Sequence, residues 1–451
     1  MKQTKALKRG RLAGLVTGAV MLLAQSGNAG AINLVQAYEA ALQNDPTFRS
    51  ATHDYEAGIE NRILGRSNLL PNVSANYSNS KVKADVDAVV GGVTTPTNHL
   101  EYSSKVAAVQ LRQPLFNLDG LARYKQGLSQ SDYATAQFAF RKQDLILRLT
   151  TAYTDALFAG TQLRLAEVQR DVYVEQRSVN NRLFEKGEGT KTDMLETQAR
   201  LDVAEAQVLE ARDNVETTRA TLAGIVGREI DGLNDVVENF RISPDATRGF
   251  ADWKDIALKE NPEIAALGFA IETARQEVNK NRAGHAPRLD FIASYSKNNS
   301  DTLNTYNQNS TQKAVGIQLT IPLYSGGAVS ASTRQAVANQ EKAKSDLQAT
   351  TDRVLVELRK QYALVNSSVS RLRALDKAVA SGTLLITATE QSIKGGVRIN
   401  LDLLNAQQQL YTTKRDQAQA RYNYLLGLLR LRAAAGVLDI DALREVAGYF
   451  R

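Results

Sequence analysis

The sequence contains no cysteine. That absence excludes disulfides, thiolate metal sites and attachment of lipid to an N-terminal cysteine. Histidine is almost as scarce, and His53, His99 and His285 stand at no spacing that resembles a metal site. No phosphate-binding glycine loop, nucleophile elbow or dinucleotide fingerprint occurs, so neither an enzyme nor a cofactor is indicated. His285 sits beside a strand start in "GHAPRLD", where packing or a turn explains it better than chemistry does. The single tryptophan, Trp253, is read as a packing anchor at the edge of a linking segment. Beyond the N-terminal segment, no apolar run approaches the ~20 residues that a membrane-spanning helix needs. Two classes stay open: a soluble exported protein, or one that meets a membrane through β-strands, whose sequence pattern is weaker.

The N-terminal segment is itself informative. "MKQTKALKRGR" is basic, "LAGLVTGAVMLLA" is an apolar run of 13 residues, and "NAGA" ends in small residues. That pattern predicts a secretory signal over 1–31, cleaved between Ala31 and Ile32. The formal charge of +7 arises from 55 basic and 48 acidic residues, and five of the basic ones belong to this segment. Without it the balance is 50 against 48, or +2, which gives no support to a nucleic-acid partner.

Proline is rare, with eight in the chain, and six of them fall into three pairs. Pro46 and Pro262 are 216 residues apart, as are Pro71 and Pro287, while Pro114 and Pro322 are 208 apart. "VQLRQPLFNLD" (109–119) and "IQLTIPLYSGG" (317–327) are versions of one motif. "FEKG" and "SIKG" keep the 208-residue offset, and "DMLETQARL" and "DLLNAQQQL" then follow at 209. A duplicated unit of roughly 210 residues accounts for all of these.

The proline-free stretches 117–184 and 325–392 are rich in good helix formers. Leu358, Val365, Leu372, Val379, Ile386 and Ile393 recur every seven residues. Leu145, Leu149, Ala152, Ala156, Ala159, Leu163 and Ala166 alternate spacings of four and three. Both are coiled-coil seams, on helices about 100 Å long. Each rod ends at a glycine-containing turn, "EKGEGTKTD" or "KGGVRINLD", and a return helix follows near 192–227 or 401–435. Shorter helices near 46–69 and 262–283 precede the strands. Gly187, Gly189, Gly395 and Gly396 are expected to serve tight turns with unusual φ.

Between short helix and rod the period changes to two. Leu289, Phe291, Ala293 and Tyr295, then Val315, Ile317, Leu319, Ile321 and Leu323, alternate with other side chains. Val73, Ala75 and Tyr77, with Ala107, Val109 and Leu111, do so in the first copy. Four strands of about ten residues with one apolar face have the dimensions of transmembrane strands. An amphipathic sheet lying on its own helices is the competing reading. Strands in lipid must close into a barrel, and known barrels start at about eight strands. Four cannot close, so several chains would share one wall. Pro114 and Pro322 mark the strand-to-helix joints, because proline cannot donate to a ladder and fixes chain direction.

In sum, the chain reads as a mixed, mainly-α fold with β: a duplicated strand hairpin plus long coiled-coil helices. A signal occupies 1–31 and the first structural repeat 32–227, with its hairpin at about 71–114. An inter-repeat link covers 228–252, the second repeat 253–436 with its hairpin at about 287–323, and a tail 437–451.

Together "GHAPRLD", "IPLYSGG", "KGGVRINLDLLNA" and "ARYNYL" give a sequence that resembles the TolC family of outer-membrane channel-tunnels, over essentially its whole length after the signal. The resemblance implies a homotrimer: a twelve-stranded outer-membrane β-barrel continued by a twelve-helix periplasmic α-barrel, with a mixed belt around it. It implies contact with outer-membrane lipid, a periplasmic adaptor (membrane fusion protein) and an inner-membrane transporter. It places a periplasmic gate just past the tip turns, at Thr192 and Asp193 in one repeat and Arg398 and Asp402 in the other. An Arg held by a Thr hydroxyl and an Asp would be a charge-assisted yet breakable latch. Three copies of Asp402 would line one constriction and attract cations. The chain departs from the family twice: Ile393 stands where a latch tyrosine is seen, and Asn405 where a second constriction acid is seen.

Simpler roles compete for the same residues. Thr190 and Asp193 fit a capping box, Asn400 fits an N-cap with Asp402 in the first turn, and Arg398 fits a solvated surface charge. The tip glycines, being exposed, are candidates for adaptor contact. Three functions remain open: the duct of a type I secretion system, passing protein cargo from an ABC transporter; the duct of a drug-efflux pump; and a periplasmic coiled-coil scaffold. The absent lipid-attachment cysteine favours the first.

Overall fold

The computed structural model describes residues 31–87, 89–94, 98–237, 248–302 and 305–450. The secretory signal, apart from Ala31, and residues 238–247 of the inter-repeat link lie outside the described residues. The chain opens with α1 (Leu34–Asn44), α2 (Pro46–Ile59) and α3 (Asn61–Ser67). Strand β1 (Asn72–Val86), the two-residue β2 (Val89–Val90) and β3 (Val93–Thr94), and β4 (Asn98–Phe116) follow. Helices α4 (Leu118–Glu185) and α5 (Lys191–Val226) form the first long hairpin. The plan then recurs as α6 (Phe250–Glu260), α7 (Pro262–Arg282), β5 (Arg288–Thr302), β6 (Thr305–Thr320), α8 (Ala328–Lys394) and α9 (Asn400–Ala434), with α10 (Ile440–Ala447) last.

The long helices contain 68 and 67 residues, each about 100 Å in length. Their seams are packed as the periodicity requires. Leu358, Val365 and Leu372 are buried, as are Leu145, Leu149, Ala152, Ala156, Ala159 and Ala166. Towards the tip the second seam loosens, and Val379, Ile386 and Ile393 are only half-buried. Helix α4 starts where Asn117 accepts a hydrogen bond from the Gly120 N–H at 3.1 Å. Helix α8 starts later than expected, because Gly326 (φ 61°) and Gly327 (φ 82°) hold the preceding chain out of the right-handed helix.

Four strands form one antiparallel sheet in the order β1-β4-β5-β6. The two hairpins therefore lie side by side through β4 and β5, and β1 and β6 are its edges. The strands are 15, 19, 15 and 16 residues long, which corrects the expected length of about ten. Alternation of apolar residues marks only their lower halves, while the polar upper halves continue to pair, as from Ser78↔Val106 to Val86↔Asn98.

Three short helices escaped the sequence reading, and the helix expected over 46–69 is broken at Glu60. Helices α1, α6 and α10 are 11, 11 and 8 residues long, and α10 lies within the segment read as a tail. They close a belt around the hairpins. Leu34, Tyr38, Trp253, Leu443 and Val446 join Leu145, Leu149, Leu358, Tyr424 and Leu425 in one apolar core. Trp253 is the packing anchor expected of it, within α6 and fully buried. The Tyr153 hydroxyl donates to the Ile32 carbonyl at 3.0 Å and accepts from the Asn234 N–H at 3.2 Å, tying the N-terminal segment to the link. Burial pushes this phenol up to about 12.

The duplication recurs in the belt as a matched pair of joints. Asp45 and Asn261 cap α2 and α7, each followed by proline at the first helical position. Beside them α5 and α9 end at Gly227 (φ 79°) and Gly436 (φ 82°). Asn44 donates to the Val226 carbonyl at 3.1 Å, and Asn261 to the Ala434 carbonyl at 3.0 Å. In the first repeat Asp45 also binds Arg148 at 2.6 Å. At Gly436 an added Cβ would lie 2.4 Å from Asn261 Cα and 2.6 Å from the Glu260 carbonyl oxygen. The substitution Gly436→Ala should therefore destabilise the belt by about 2–4 kcal/mol, from left-handed strain plus overpacking. A lowered thermal midpoint of the detergent-solubilised protein is the expected readout.

Candidate functional site

The sheet aligns the apolar positions of all four strands on one face. Val73 pairs with Leu111, which pairs with Ala293, which pairs with Val315. Ala75, Val109 and Tyr295 form the next row, and Phe291 faces Ile317. This face is open: Val73, Tyr77, Val315, Ile317 and Leu319 are all more than half exposed. A surface of that kind is what lipid covers on the outside of a barrel. Among the described residues no helix is long and apolar enough to cross a membrane.

On the opposite, largely polar face the lower end of the sheet carries a charged staple. Asp290 is fully buried, and its carboxylate accepts from Arg112 Nε at 3.1 Å and pairs with Arg288 Nε at 3.2 Å. Arg112 lies on the first hairpin and Asp290 on the second, so the staple joins the repeats. Removal of Arg112 would leave the buried Asp290 carboxylate with Arg288 alone. The joint prolines differ in setting. Pro114 lies within β4 at a register shift opposite Asp290 and Leu289, whereas Pro322 lies beyond the end of β6.

At the other end of the molecule the two tip turns share one hydrogen-bond pattern. Gly187, Glu188 and Gly189 N–H groups donate to Phe184, Leu183 and Leu183 carbonyls. Gly396, Val397 and Arg398 donate to Ile393, Ser392 and Ser392. The structural offset is thus already 209 within the turn, one residue more than the matched "KG" pairs imply. Gly187 (φ 73°) and Gly396 (φ 72°) are the left-handed positions. Gly395 has φ −82°, which any residue adopts, and Gly189 has no positive φ, so the expectation of unusual φ at these two is corrected. At Gly189 the constraint is space, because an added Cβ would approach Leu183 Cβ to 3.1 Å.

The offset makes Asp193 and Asp402 equivalent, each the third residue of its return helix. Their surroundings differ. Asp193 and Thr190 complete the expected capping box, with the Asp193 N–H donating to the Thr190 hydroxyl at 3.1 Å. Ile399 occupies the N-cap of α9, not Asn400, and offers no side-chain acceptor. Asp402 therefore keeps a half-exposed carboxylate whose nearest cation is Arg398, at 3.9 Å in the turn before the helix. Among the described residues, neither Asp193 nor Thr192 is bonded to Arg398.

Asn400, displaced from capping, instead bridges the two hairpins. It accepts from Gln176 Nε2 at 2.8 Å and donates to Thr197 Oγ1 at 3.4 Å. Asn180 Nδ2 also donates to Thr197 Oγ1, at 2.8 Å, and the hydroxyl itself donates to the Asp193 carbonyl at 2.8 Å. Thr197 and Asn180 are buried. A second bridge runs from Arg200 Nη2 to Asn405 Oδ1 at 2.9 Å. Below lies a small apolar cluster of Tyr173, Leu201, Ala204 and Leu404. Burial raises the Tyr173 phenol above its ordinary value, against opposing effects of Gln169 and the Arg200 charge. The sequence pattern predicts none of these bridges, and it marks only Asn400, as an N-cap, and Asn405, as a departure from the family. The available clue was the occurrence of Asn180 and Thr197 at seam-like positions where apolar residues are expected.

Fold and site define an outer-membrane channel protein, and the chain belongs to the TolC-type family described as "Outer membrane efflux protein", matched over residues 37–228 and 253–437. It is similar to the "Alkaline protease secretion protein AprF" of Pseudomonas aeruginosa, with 42% identity covering 98% of this chain and 92% of that one. It is also similar to the "Proteases secretion protein PrtF" of Dickeya chrysanthemi, at 37% identity over 96% and 94% of the two chains. Among solved structures, the Campylobacter jejuni CmeC outer membrane channel superposes with a TM-score of 0.77 at 16% identity, covering 93% of this chain and 90% of that one. That likeness establishes the fold. Membership of the family removes the soluble coiled-coil scaffold as a reading.

The Thr197 hydroxyl serves both bridging amides, so Thr197→Val would leave buried polar groups unpaired, at about 1–3 kcal/mol. Amide exchange should quicken around residues 176–200 and 398–408 while the belt core stays protected. Unchanged exchange at the tip would show that the bridge carries no weight.

Proposed function

We propose that this outer-membrane protein is the duct of a type I secretion system, passing unfolded protein from an inner-membrane ABC transporter and its periplasmic adaptor to the exterior. One observation carries the choice of cargo class. Two relatives named for protease secretion match at 42% and 37% identity over nearly the whole chain, whereas the "Probable efflux pump outer membrane protein TtgC" of Pseudomonas putida matches at 19%. Trimeric assembly is supported by the unpaired edges β1 and β6. Strand directions alternate across the sheet, so β6 of one copy can pair antiparallel with β1 of the next, and three copies give twelve strands. Exposed Val203, Leu209 and Leu384 on the long hairpins suit burial against neighbouring copies. Energy for transport comes from the partner. A strain lacking this chain should lose one or a few secreted proteins from its medium and keep its antibiotic resistance. The opposite pattern would favour drug efflux.

The gate reading assigns Thr192, Asp193, Arg398, Asp402 and Asn405 to the periplasmic constriction, with the turns at Gly187, Gly189, Gly395 and Gly396 facing the adaptor. Since Asp193 is engaged by Thr190, a latch from Arg398 to Thr192 or Asp193 is left to contacts between protomers. Asp402, free of a capping role, is the carboxylate available to line the mouth. Asn405 is held by Arg200 and adds no second acidic ring. Block of conductance by a trivalent cation in planar bilayers should therefore fall about tenfold or more in Asp402→Asn and rise in Asn405→Asp. Equal block in all three proteins would refute the assignment.

A further inference from the structure

The outward face of the sheet carries a second pattern above its apolar rows. Continuing upward, each strand meets a lysine: Lys81 after Tyr77 and Asn79, Lys105 after Ala107, Lys297 after Tyr295, and Lys313 after Val315. All four are exposed. None has a carboxylate partner among the described residues. Two of the neighbouring acids are engaged elsewhere, Glu101 by Lys83 and Asp85 by His99.

Register shows how the four are arranged. Lys313 pairs with Tyr295, Lys297 with Ala107, Lys105 with Asn79, and Lys81 with Ser103. From β6 to β1 the lysine thus climbs two residues at every strand. The apolar rows climb in the same sense, from Val315–Leu319 on β6 to Val73–Tyr77 on β1. A barrel strand tilted ~35–45° shifts the horizontal by about one to one and a half residues per strand, and same-face positions come in steps of two. The diagonal is therefore the level edge of the lipid-facing band. The tunnel-side edge is different: it carries Phe116, Leu323 and Tyr324, all exposed, and the outward strand positions there hold no lysine.

We propose that Lys81, Lys105, Lys297 and Lys313 form a girdle that binds phosphorylated saccharide headgroups of the outer leaflet. Unpaired ammonium groups at the rim of an apolar band seek anionic headgroups. Two residues along and one strand across places adjacent lysines about 8 Å apart, so neighbouring lysines can each hold one phosphate of a bis-phosphorylated sugar lipid. A phosphomonoester, with about −1.5 to −2 charge, attracts them more than the single charge of a phosphodiester lipid. The girdle rests on closure of the barrel with two further chains, which conductance of the same purified protein reads separately.

The test is the thermal midpoint of the purified trimer in detergent with three added lipids: a bis-phosphorylated diglucosamine lipid, its dephosphorylated form, and phosphatidylglycerol. The first should raise the midpoint, the second should not, and the third should do so less. Replacing all four lysines by glutamine should abolish the rise, and replacing them by arginine should keep it. Each lysine removed should weaken lipid retention about fivefold. An equal rise with the dephosphorylated lipid or phosphatidylglycerol, or in the glutamine variant, overturns the proposal. Should that variant fail to fold, the unaltered protein still decides: the rise must shrink as salt increases, and a salt-independent rise overturns it.

Discussion

The edges of the sheet govern the rest of this molecule. Strands β1 and β6 each present a row of backbone N–H and C=O groups with no strand partner among the described residues. In hydrocarbon every such group costs several kcal/mol. The apolar face beside them is open and suited to lipid, so the chain cannot remain as it is in a membrane. It can satisfy itself only by lending each edge to another copy. A soluble sheet of this size would instead cover its apolar face with its own helices. Here the helices leave the sheet at Leu118 and Ala328 and run away from it.

Duplication supplies that solution economically, and divergence between the copies then supplies function. At the belt the copies remain alike: Gly227 and Gly436 end their helices against Asn44 and Asn261. At the tips one position has separated into two roles. Asp193 is consumed by a capping box, because Thr190 precedes it. Asp402 follows Ile399, which cannot cap, and so retains a carboxylate for something else. Gly189 and Arg398 are likewise equivalent in the turns, yet one is confined by Leu183 and the other carries a cation. The first repeat spends its polar atoms on its own turn, whereas the second turns Asn400 and Asn405 to the other hairpin and leaves Asp402 uncapped beside Arg398.

Much of this was legible in the sequence, for a definite reason. Period two, period seven and paired prolines are local patterns, and the elements they specify, from the apolar rows to the seams at Leu145 and Leu358, are stabilised along the chain itself. What could not be read depends on distant partners. Helices α1, α6 and α10 are too short to persist alone and exist because Leu34, Trp253 and Leu443 share the belt core. The polar upper halves of the strands pair without an apolar face to announce them. Asn400 looked like a cap because it begins a helix, and only the proximity of Gln176 and Thr197, more than 200 residues away, draws it elsewhere. Gly395 looked equivalent to Gly187 by letter, whereas the backbone assigns that role to Gly396.

The distribution of packing also differs between the two ends, in the sense the proposed gate requires. Around the belt a large apolar core engages helices from both repeats and both termini of the described chain. At the tip the apolar cluster shrinks to Tyr173, Leu201, Ala204 and Leu404, and polar bonds join the hairpins there, from Asn400 to Gln176 and Thr197, from Arg200 to Asn405 and from Tyr173 to Gln408. Apolar burial is lost in proportion to area when surfaces part, but an amide released into water exchanges one hydrogen bond for another at a net loss of only about 0.5–1.5 kcal/mol. A polar tip on an apolar shaft is thus the arrangement in which, under the proposed gate, docking energy spent at the turns would separate the hairpins locally without being transmitted into the belt. The loosening of the second seam beyond Leu372 sets where such a movement would end.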